Sequence, residues 1–193
     1  MKISIIFEIT KESLYAVHFE GRERDEWSDF FDRMTDVEYL HGFFSEHSAD
    51  LKNGFYADQY GDISVEEAIE ITLDEIEQLE NQLLTLSKKG KESSDTLQTL
   101  FKPLNNDDYK QPSLQKNKAT GAKRKSWLRI YAIRISANLF VVSGGAIKLT
   151  ADMNDRQHLL QELDKLEATK NFLREQGVLD EDDYQILTLN LWQ

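Results

Sequence analysis

The chain has 193 residues, a net charge of −12 at pH 7 and no cysteine, with 40% hydrophobic and 30% charged residues. This composition is typical of a globular protein, and the absence of cysteine excludes disulfides and thiolate chemistry. No apolar run approaches the roughly 20 residues that span a bilayer, and Met1-Lys2 leads directly into a β-like run instead of a signal peptide. We therefore expect a cytoplasmic protein with no membrane partner.

The amino-terminal region predicts a β-hairpin followed by helices. Residues 3–9 and 14–19 are rich in β-branched and aromatic side chains and are separated by a short polar turn, which predicts two paired strands. From there to residue 48 the aromatic residues follow helical spacing, so two short amphipathic helices are expected within 24–48, the second capped by Asp36. Residues 51–62 are expected to form an ordered loop.

A long acidic helix is predicted over residues 64–89. Ser64 and Glu67 form a capping box, and residues 62–86 contain eight Asp or Glu and no Lys or Arg. Its apolar residues follow alternating steps of four and three: Val65, Ile69, Thr72, Ile76, Leu79, Leu83 and Leu86. This stripe predicts either burial within the same domain, with the Leu159–Leu173 helix as packing partner, or a dimer contact. The acidic face is either solvated or masks a basic surface of the same chain.

The segment 109–150 has an opposite charge, because it contains nine Lys or Arg and no Asp or Glu. The basic residues are Lys110, Lys116, Lys118, Lys123, Arg124, Lys125, Arg129, Arg134 and Lys148. This segregation predicts a cationic surface for an anion, and the alternative is a solvated basic strand pair that offsets the acidic bulk. Its first part, residues 110–122, is polar, and we expect it to be mobile or ordered only against a partner.

A second hairpin is predicted within the basic segment. Strands are expected over residues 128–135 and 139–150, and Gly144-Gly145 indicates a bulge or a close backbone approach. A connection over residues 136–139 would place Ile135 opposite Phe140 and Trp127 opposite Lys148. Arg129, Tyr131 and Lys148 would then project from one face, whereas a slip of one residue would move Lys148 to the other face.

The carboxyl-terminal region predicts a further helix and an apolar tail. The helix is expected to begin at Asn154 or Asp155, to carry a leucine stripe and to stop before Gly177, which suits the left-handed position after a helix. The tail, residues 184–192, is a helix or an edge strand. We therefore expect an α+β fold in which a small twisted antiparallel sheet, built from the two hairpins, packs against several helices.

The motifs of several enzyme classes are missing. Gly144-Gly145 lacks the spacing and the Lys-Ser/Thr pair of a phosphate loop, and neither an HExxH metal pair nor a Gly-x-Ser-x-Gly elbow occurs. We expect neither a metal nor a cofactor. Two cations and a phenol on one strand pair suit metal-free cleavage of RNA, in which the 2′-hydroxyl attacks phosphorus and Arg and Lys stabilise the developing charge.

The residues predicted to bind RNA extend beyond this cluster. A base could stack on Trp127, and the neighbouring lysines and arginine would contact phosphates. The predicted RNA-binding residues are Lys116, Lys118, Lys123, Arg124, Lys125 and Trp127.

Less than a third of the chain, within its carboxyl-terminal half, resembles the RelE/ParE/HigB superfamily of toxin proteins, and within it the phage-related HigB-like branch. The resemblance lies in Trp127-Leu128-Arg129-Ile130-Tyr131-Ala132-Ile133-Arg134-Ile135, in Phe140-Val141-Val142-Ser143-Gly144-Gly145-Ala146-Ile147-Lys148-Leu149-Thr150 and in the leucine-rich helix that follows. It implies a RelE-like core over 109–176, with 62–105 as a helical insertion in one domain of residues 1–193. The chain departs from the family pattern in its length, its acidic charge and the absence of a second lysine after the glycines.

The resemblance also implies a function. Members of this superfamily typically cleave mRNA at the ribosome without a metal and are neutralised by an antitoxin protein, so RNA or the ribosome and a cognate antitoxin are the expected partners. Arg129, Tyr131, Arg134 and Lys148 match the basic and aromatic sheet residues of the family and are the expected catalytic residues. Tyr184 and His158 are candidates for a carboxyl-terminal catalytic residue. The alternative function is a non-catalytic module that binds nucleic acid or protein through the basic surface, in an oligomeric state that the sequence leaves open.

Overall fold

The computed structural model describes residues 1–89, 94–105, 107, 110, 113–121 and 125–191. These residues form a six-stranded mixed sheet with helices on both faces, which confirms the predicted α+β class. The strands are β1 (Ile3–Thr10), β2 (Leu14–Phe19), β3 (Lys102–Pro103), β4 (Gln115–Thr120), β5 (Leu128–Arg134) and β6 (Phe140–Ile147). The helices are α1 (Glu26–Thr35), α2 (Val37–Glu46), α3 (Ser48–Asn53), α4 (Ala57–Tyr60), α5 (Val65–Lys89), α6 (Gln157–Glu175) and α7 (Glu181–Leu191), with a 3₁₀ turn at Leu97–Thr99.

The sheet has the strand order β1-β2-β6-β5-β4-β3. Both predicted hairpins form, as the antiparallel pairs β1–β2 and β5–β6. A parallel pair joins them, because Leu14 to Ala16 of β2 lie beside Phe140 to Val142 of β6. The sheet is therefore mixed, whereas the sequence predicted only antiparallel pairing.

Two hydrophobic cores lie on the two faces of the sheet. One contains residues of α1, α2 and α5, and the other contains residues of α6 and α7. The apolar stripe of α5 belongs to the first core, so it is buried within its own chain, as one of the two predictions had it. The expected packing partner, the Leu159–Leu173 helix, lies across the sheet as part of α6, and that prediction is wrong.

The helix boundaries follow the capping residues. The Asp36 carboxylate accepts the backbone N–H groups of Glu38 and Tyr39, as predicted. The capping box of α5 is also confirmed, because the Glu67 N–H donates to Ser64 Oγ at 3.1 Å and the Ser64 N–H donates to Glu67 Oε2 at 2.9 Å. At the end of α6, Gly177 has a φ of +78°, which is the left-handed conformation expected there.

Two segments differ from the sequence prediction, whereas the carboxyl-terminal tail is the helix α7, one of its two predicted forms. Residues 51–62 contain the end of α3 and the short helix α4 instead of a loop only. The polar segment 110–122, expected to be mobile or ordered only against a partner, contains β4. Its buried positions include Gln115 and Asn117, whose amides bond to each other, so hydrophobicity gives no sign of the strand.

The sheet opens between β2 and β6, and an ion pair fills the gap. The two strands separate after Ala16 and Val142, where their pairing ends. Glu26 lies at the start of α1 on one face, whereas Lys165 lies on α6 on the other face. The Lys165 ammonium nevertheless contacts Glu26 Oε2 at 2.6 Å and Glu162 Oε1 at 2.7 Å, so these buried charges meet through the opening.

Candidate nucleic-acid interface

The register of β5 and β6 decides whether the predicted cations meet. Arg129 lies opposite Ala146 and Tyr131 opposite Gly144, and the Lys148 N–H donates to the Trp127 carbonyl at 2.8 Å. The predicted pairing of Trp127 with Lys148 is therefore confirmed. A bulge then adds Ser143 to β6, which agrees with the irregularity predicted from the neighbouring glycines.

The bulge changes the pairing near the turn. Beyond it, Arg134 lies opposite Phe140, and the Ile135 N–H donates to the Leu139 carbonyl at 2.9 Å. The predicted pairing of Ile135 with Phe140 is thus wrong by one residue. Because the bulge lies between the turn and the cations, the predicted pairing is shifted only near the turn and is correct at the end of the hairpin where Lys148 lies.

Three cations gather at the end of the sheet where β5 begins and β6 ends. Strand alternation places Arg129 and Lys148 on the α6 side, since Leu128, Ile147 and Leu149 belong to the core on the other face. On β4, Lys118 pairs with Tyr131 and therefore shares that side. We call Lys118, Arg129 and Lys148 the basic cluster.

The groups of the basic cluster are held by backbone and phenolic oxygens. Arg129 Nη1 donates to the carbonyls of Ser126 at 2.5 Å and Leu128 at 2.7 Å, and its Nη2 donates to the Tyr56 hydroxyl at 3.0 Å. Lys148 Nζ donates to two carbonyls of the loop after β6, at 2.7 and 2.6 Å. Within the described part of the chain, no carboxylate forms an ion pair with any of the three cations.

Burial and mutual repulsion destabilise the charged lysines. Burial lowers the pKa of Lys118, and the nearby Arg129 guanidinium lowers it further. Burial also lowers the pKa of Lys148, with additional contributions from Arg129 and Lys118 that the carboxylates of Asp152 and Asp155 oppose. The cluster therefore carries excess positive charge that an anion would stabilise.

Of the other predicted catalytic residues, Tyr131 is buried next to the basic cluster, whereas Arg134 lies away from it. Tyr131 is fully buried beneath α6, its hydroxyl has no hydrogen-bond partner among the described residues, and burial raises its pKa. Arg134 lies five residues further along β5 than Arg129, roughly 17 Å away, and on the other face. Its guanidinium donates to Gln98 Oε1 at 3.1 Å. The structure thus places Arg129, Tyr131 and Lys148 on one face, as predicted, but Tyr131 is buried there and Arg134 lies on the other face.

The predicted stacking residue is part of the hydrophobic core. Trp127 is 1% exposed, and its Nε1 donates to Thr72 Oγ1 on α5 at 3.0 Å. Its ring also packs against Phe44, Tyr56 and Tyr60. Trp127 is therefore not available to stack on a base, which corrects the sequence prediction.

The remaining predicted RNA-binding residues are dispersed. Lys116 forms an ion pair with Glu167 of α6. Lys125 is exposed and lies outside the basic cluster, and Lys123 and Arg124 lie outside the described residues. Among the described lysines of this set, Lys118 is the one that the pairing of β4 with β5 places beside the basic residues of the hairpin.

The two candidates for a carboxyl-terminal catalytic residue have different environments. Tyr184 is 1% exposed and packs edge-on against Tyr15, with ring centroids 5.0 Å apart, and burial raises its pKa well above the usual range. His158 is half-buried at the start of α6, and its Nε2 lies 3.0 Å from the carbonyl of Ile147. Only His158 is therefore both accessible and next to the basic cluster.

The acidic helix α5 does not neutralise the basic cluster through ion pairs between described residues. In the same part of the chain, no three His, Asp or Glu side chains are grouped as metal ligands, and no helix is long and apolar enough to cross a membrane. No protein-family model, functionally characterised protein or solved structure matches the chain.

Proposed function

We propose that the basic cluster binds an RNA phosphodiester and that the protein cleaves this bond without a metal. The observation that supports the proposal is the convergence of Lys118, Arg129 and Lys148 with no carboxylate ion pair among the described residues. Phosphate oxygens are the natural partners of such a group, since Arg and Lys donate charge-assisted hydrogen bonds to them. The resemblance of residues 127–150 and the helix that follows them to RelE/ParE/HigB toxins supports the same function.

The proposed reaction uses the two lysines as base and acid. The ribose 2′-oxygen forms a bond to the adjacent phosphorus, and the bond from phosphorus to the 5′-oxygen breaks, which leaves a 2′,3′-cyclic phosphate and a free 5′-hydroxyl. Lys118 binds the phosphate as an ammonium and accepts the 2′-hydroxyl proton in the fraction of molecules in which its amine is neutral, and the Lys148 ammonium gives a proton to the leaving oxygen. Both roles agree with pKa values that are lower than those of an exposed lysine. Arg129 stabilises the charge on the non-bridging oxygens.

The expected biological setting follows from the resemblance. As a toxin of this type, the protein would cut mRNA at the ribosome, and an antitoxin would bind it and cover the basic cluster. A short adjacent reading frame with a helix-turn-helix pattern would be the expected source of that antitoxin. Purified protein incubated with ribosomes and mRNA should then produce fragments that end in a cyclic phosphate.

The second function is RNA binding without cleavage. It is favoured by the burial of Tyr131 and by the three hydrogen bonds that tie Arg129 to protein oxygens. Lys118→Arg separates the two functions, because arginine keeps the charge but does not act as a base at neutral pH. Cleavage lost with binding retained supports the ribonuclease, and binding with no cleavage by the wild-type protein supports the module.

Charge-removing variants test the phosphate site itself. Lys118→Ala and Lys148→Ala should each weaken RNA binding and reduce the slope of log affinity against log salt by about 0.7, the value for one contact to single-stranded nucleic acid. Lys11→Ala is the matched control, because Lys11 is an exposed lysine in the turn between β1 and β2. Equal binding by all three variants and the wild type would refute the phosphate site.

A further inference from the structure

A cleft of about 750 Å³ lies between α2 and the start of α6. Its volume is in the range of small-ligand sites. Its walls combine two aromatic residues of α2, Tyr39 and Phe43, with two imidazoles, His47 and His158. None of these side chains takes part in the proposed cleavage, so that reaction gives the cleft no role.

The aromatic wall is held in place before any ligand arrives. The rings of Tyr39 and Phe43 lie 6.3 Å apart and within 24° of parallel, and Arg33 Nη1 donates to the Tyr39 hydroxyl at 3.3 Å. Phe43 also contacts His47 and His158, with ring centroids at 4.5 and 5.3 Å. A flat ring entering the cleft would therefore meet aromatic surfaces that are already ordered.

A glycine in the middle of α2 keeps the cleft wide. Gly42 lines the cleft, and a Cβ built on it would meet no atom within 4 Å. Glycine destabilises the interior of a helix relative to alanine. Neither a turn, nor a close packing contact, nor a positive φ requires glycine at this position. A larger side chain at position 42 would occupy this open space in the cleft.

His158 connects the cleft to the basic cluster. Because the Ile147 carbonyl can only accept, His158 Nε2 must carry the proton in the 3.0 Å hydrogen bond between them. Burial lowers the pKa of His158, which favours the neutral ring, and no described residue forms a hydrogen bond with its Nδ1. Ile147 directly precedes Lys148, so the imidazole lies against the peptide next to a cation of the cluster.

We propose that this cleft holds an unstacked nucleobase of the RNA whose phosphate lies on the basic cluster. The inference rests on the proposed function and extends it, since it identifies a site that reads a base beside the phosphate. Parallel aromatic rings suit the face of a base, and a base N–H can donate to His158 Nδ1. The buried Trp127, which the sequence suggested for stacking, is replaced in this role by Tyr39 and Phe43.

The test compares an intact oligoribonucleotide with the same strand carrying one abasic site. For the wild-type protein, loss of the base should weaken binding roughly 5- to 150-fold, the range for one stacked base. The Cβ of Gly42→Leu would meet no atom within 4 Å, and the larger side chain should occupy part of the cleft, so the variant should bind intact RNA more weakly than the wild type does. Gly42→Ala is the control for the change in helix propensity and should retain most of the preference. Equal affinity of wild type and Gly42→Leu for intact RNA would overturn the proposal.

A second measurement keeps this proposal separate from the phosphate site. The chain has four histidines, so the ring protons of His47 and His158 can be followed by NMR during titration with nucleoside monophosphates. Shifts at these two residues that Gly42→Leu abolishes support the cleft, even if no oligonucleotide binds and the phosphate site is refuted. Absence of such shifts at millimolar nucleotide, together with no effect of the abasic site, refutes the cleft whatever the basic cluster does.

Discussion

Replacing Glu162 with glutamine should change how the stability of the protein depends on pH. Glu162 is 5% exposed, its Oε1 contacts Lys165, and its Oε2 has no hydrogen-bond partner among the described residues. Burial raises its pKa to about 7, and the Glu26 carboxylate acts in the same direction, while Lys165 and Arg33 oppose the change. The folded protein therefore binds a proton that the unfolded chain releases near pH 4.5.

The direction and size of the change in stability with pH follow from this difference in proton binding. Because the pKa is higher in the folded state, the free energy of unfolding falls as the pH rises from about 4.5 to about 7 and is then constant. At about 1.4 kcal/mol per pH unit, the whole loss is about 3 kcal/mol, of which about 2.5 kcal/mol falls between pH 5 and pH 8. Glutamine does not titrate, so the free energy of unfolding of Glu162→Gln should not show this decrease.

The assay is urea denaturation of wild type and Glu162→Gln at pH 5, 6, 7 and 8. The stability of the variant minus that of the wild type should increase by about 2.5 kcal/mol across this range, since titrating groups that do not interact with Glu162 cancel in the difference. Glu175→Gln, an exposed change on the same helix, should show a constant difference. A constant difference for Glu162→Gln would refute the inference that its carboxyl is protonated in the folded protein at pH 5 to 6.

Three further substitutions test contacts that hold the site in place. Gly144→Ala should destabilise the protein by about 1 to 3 kcal/mol, because the new Cβ would lie 2.1 Å from Glu162 Oε2 in the buried ion-pair group, as urea denaturation would show. Thr72→Val should cost about 1 to 3 kcal/mol in the same assay, since it leaves the buried Trp127 N–H without its acceptor. Ser64→Ala should cost about 1 kcal/mol of thermal or chemical stability through loss of the cap of α5.

Each of these three predictions has a result that would contradict it. A Gly144→Ala variant of wild-type stability would mean that the buried ion-pair group can move away from β6. For Thr72→Val, Thr85→Val is the control on the exposed side of the same helix, and equal effects of the two would show that the bond to Trp127 contributes nothing. A Ser64→Ala variant with unchanged stability would contradict the role of the capping box.

Local patterns predicted the secondary structure best. The caps of α2 and α5 depend on side chains within three residues of the backbone groups they bind, so the sequence contains all the necessary information. Strand β4 does not follow this rule. Its buried Asn117 donates a hydrogen bond to the side chain of Gln115. Because these buried positions are polar, the sequence of β4 lacks the alternation of apolar and polar residues that indicates a strand.

Which residues form the site depends on contacts between residues that are far apart in the sequence. Trp127 lies close in sequence to several basic residues. In the fold it is part of the core, because it donates a hydrogen bond to Thr72 on α5 and packs against aromatic residues between α2 and α4. Lys118 joined the cluster only through the β4–β5 register. The cleft beside α6 was missed because Gly42 and His158 are 116 positions apart in the printed sequence. A glycine within an otherwise regular helical pattern was the one signal that could have indicated it.

The charge segregation in the sequence has a topological cause that limits what it predicts. β4, β5 and β6 are neighbouring antiparallel strands from one continuous segment, so basic residues close in sequence lie close in the sheet. Alternation along each strand then divides them between the two faces, and the length of β5 separates its ends. Arg129 and Arg134 show both effects, since the same strand places one in the basic cluster and the other beside Gln98. A run of like charge thus predicts which sheet carries a cationic surface, while the register and the bulge at Ser143 decide which cations share it.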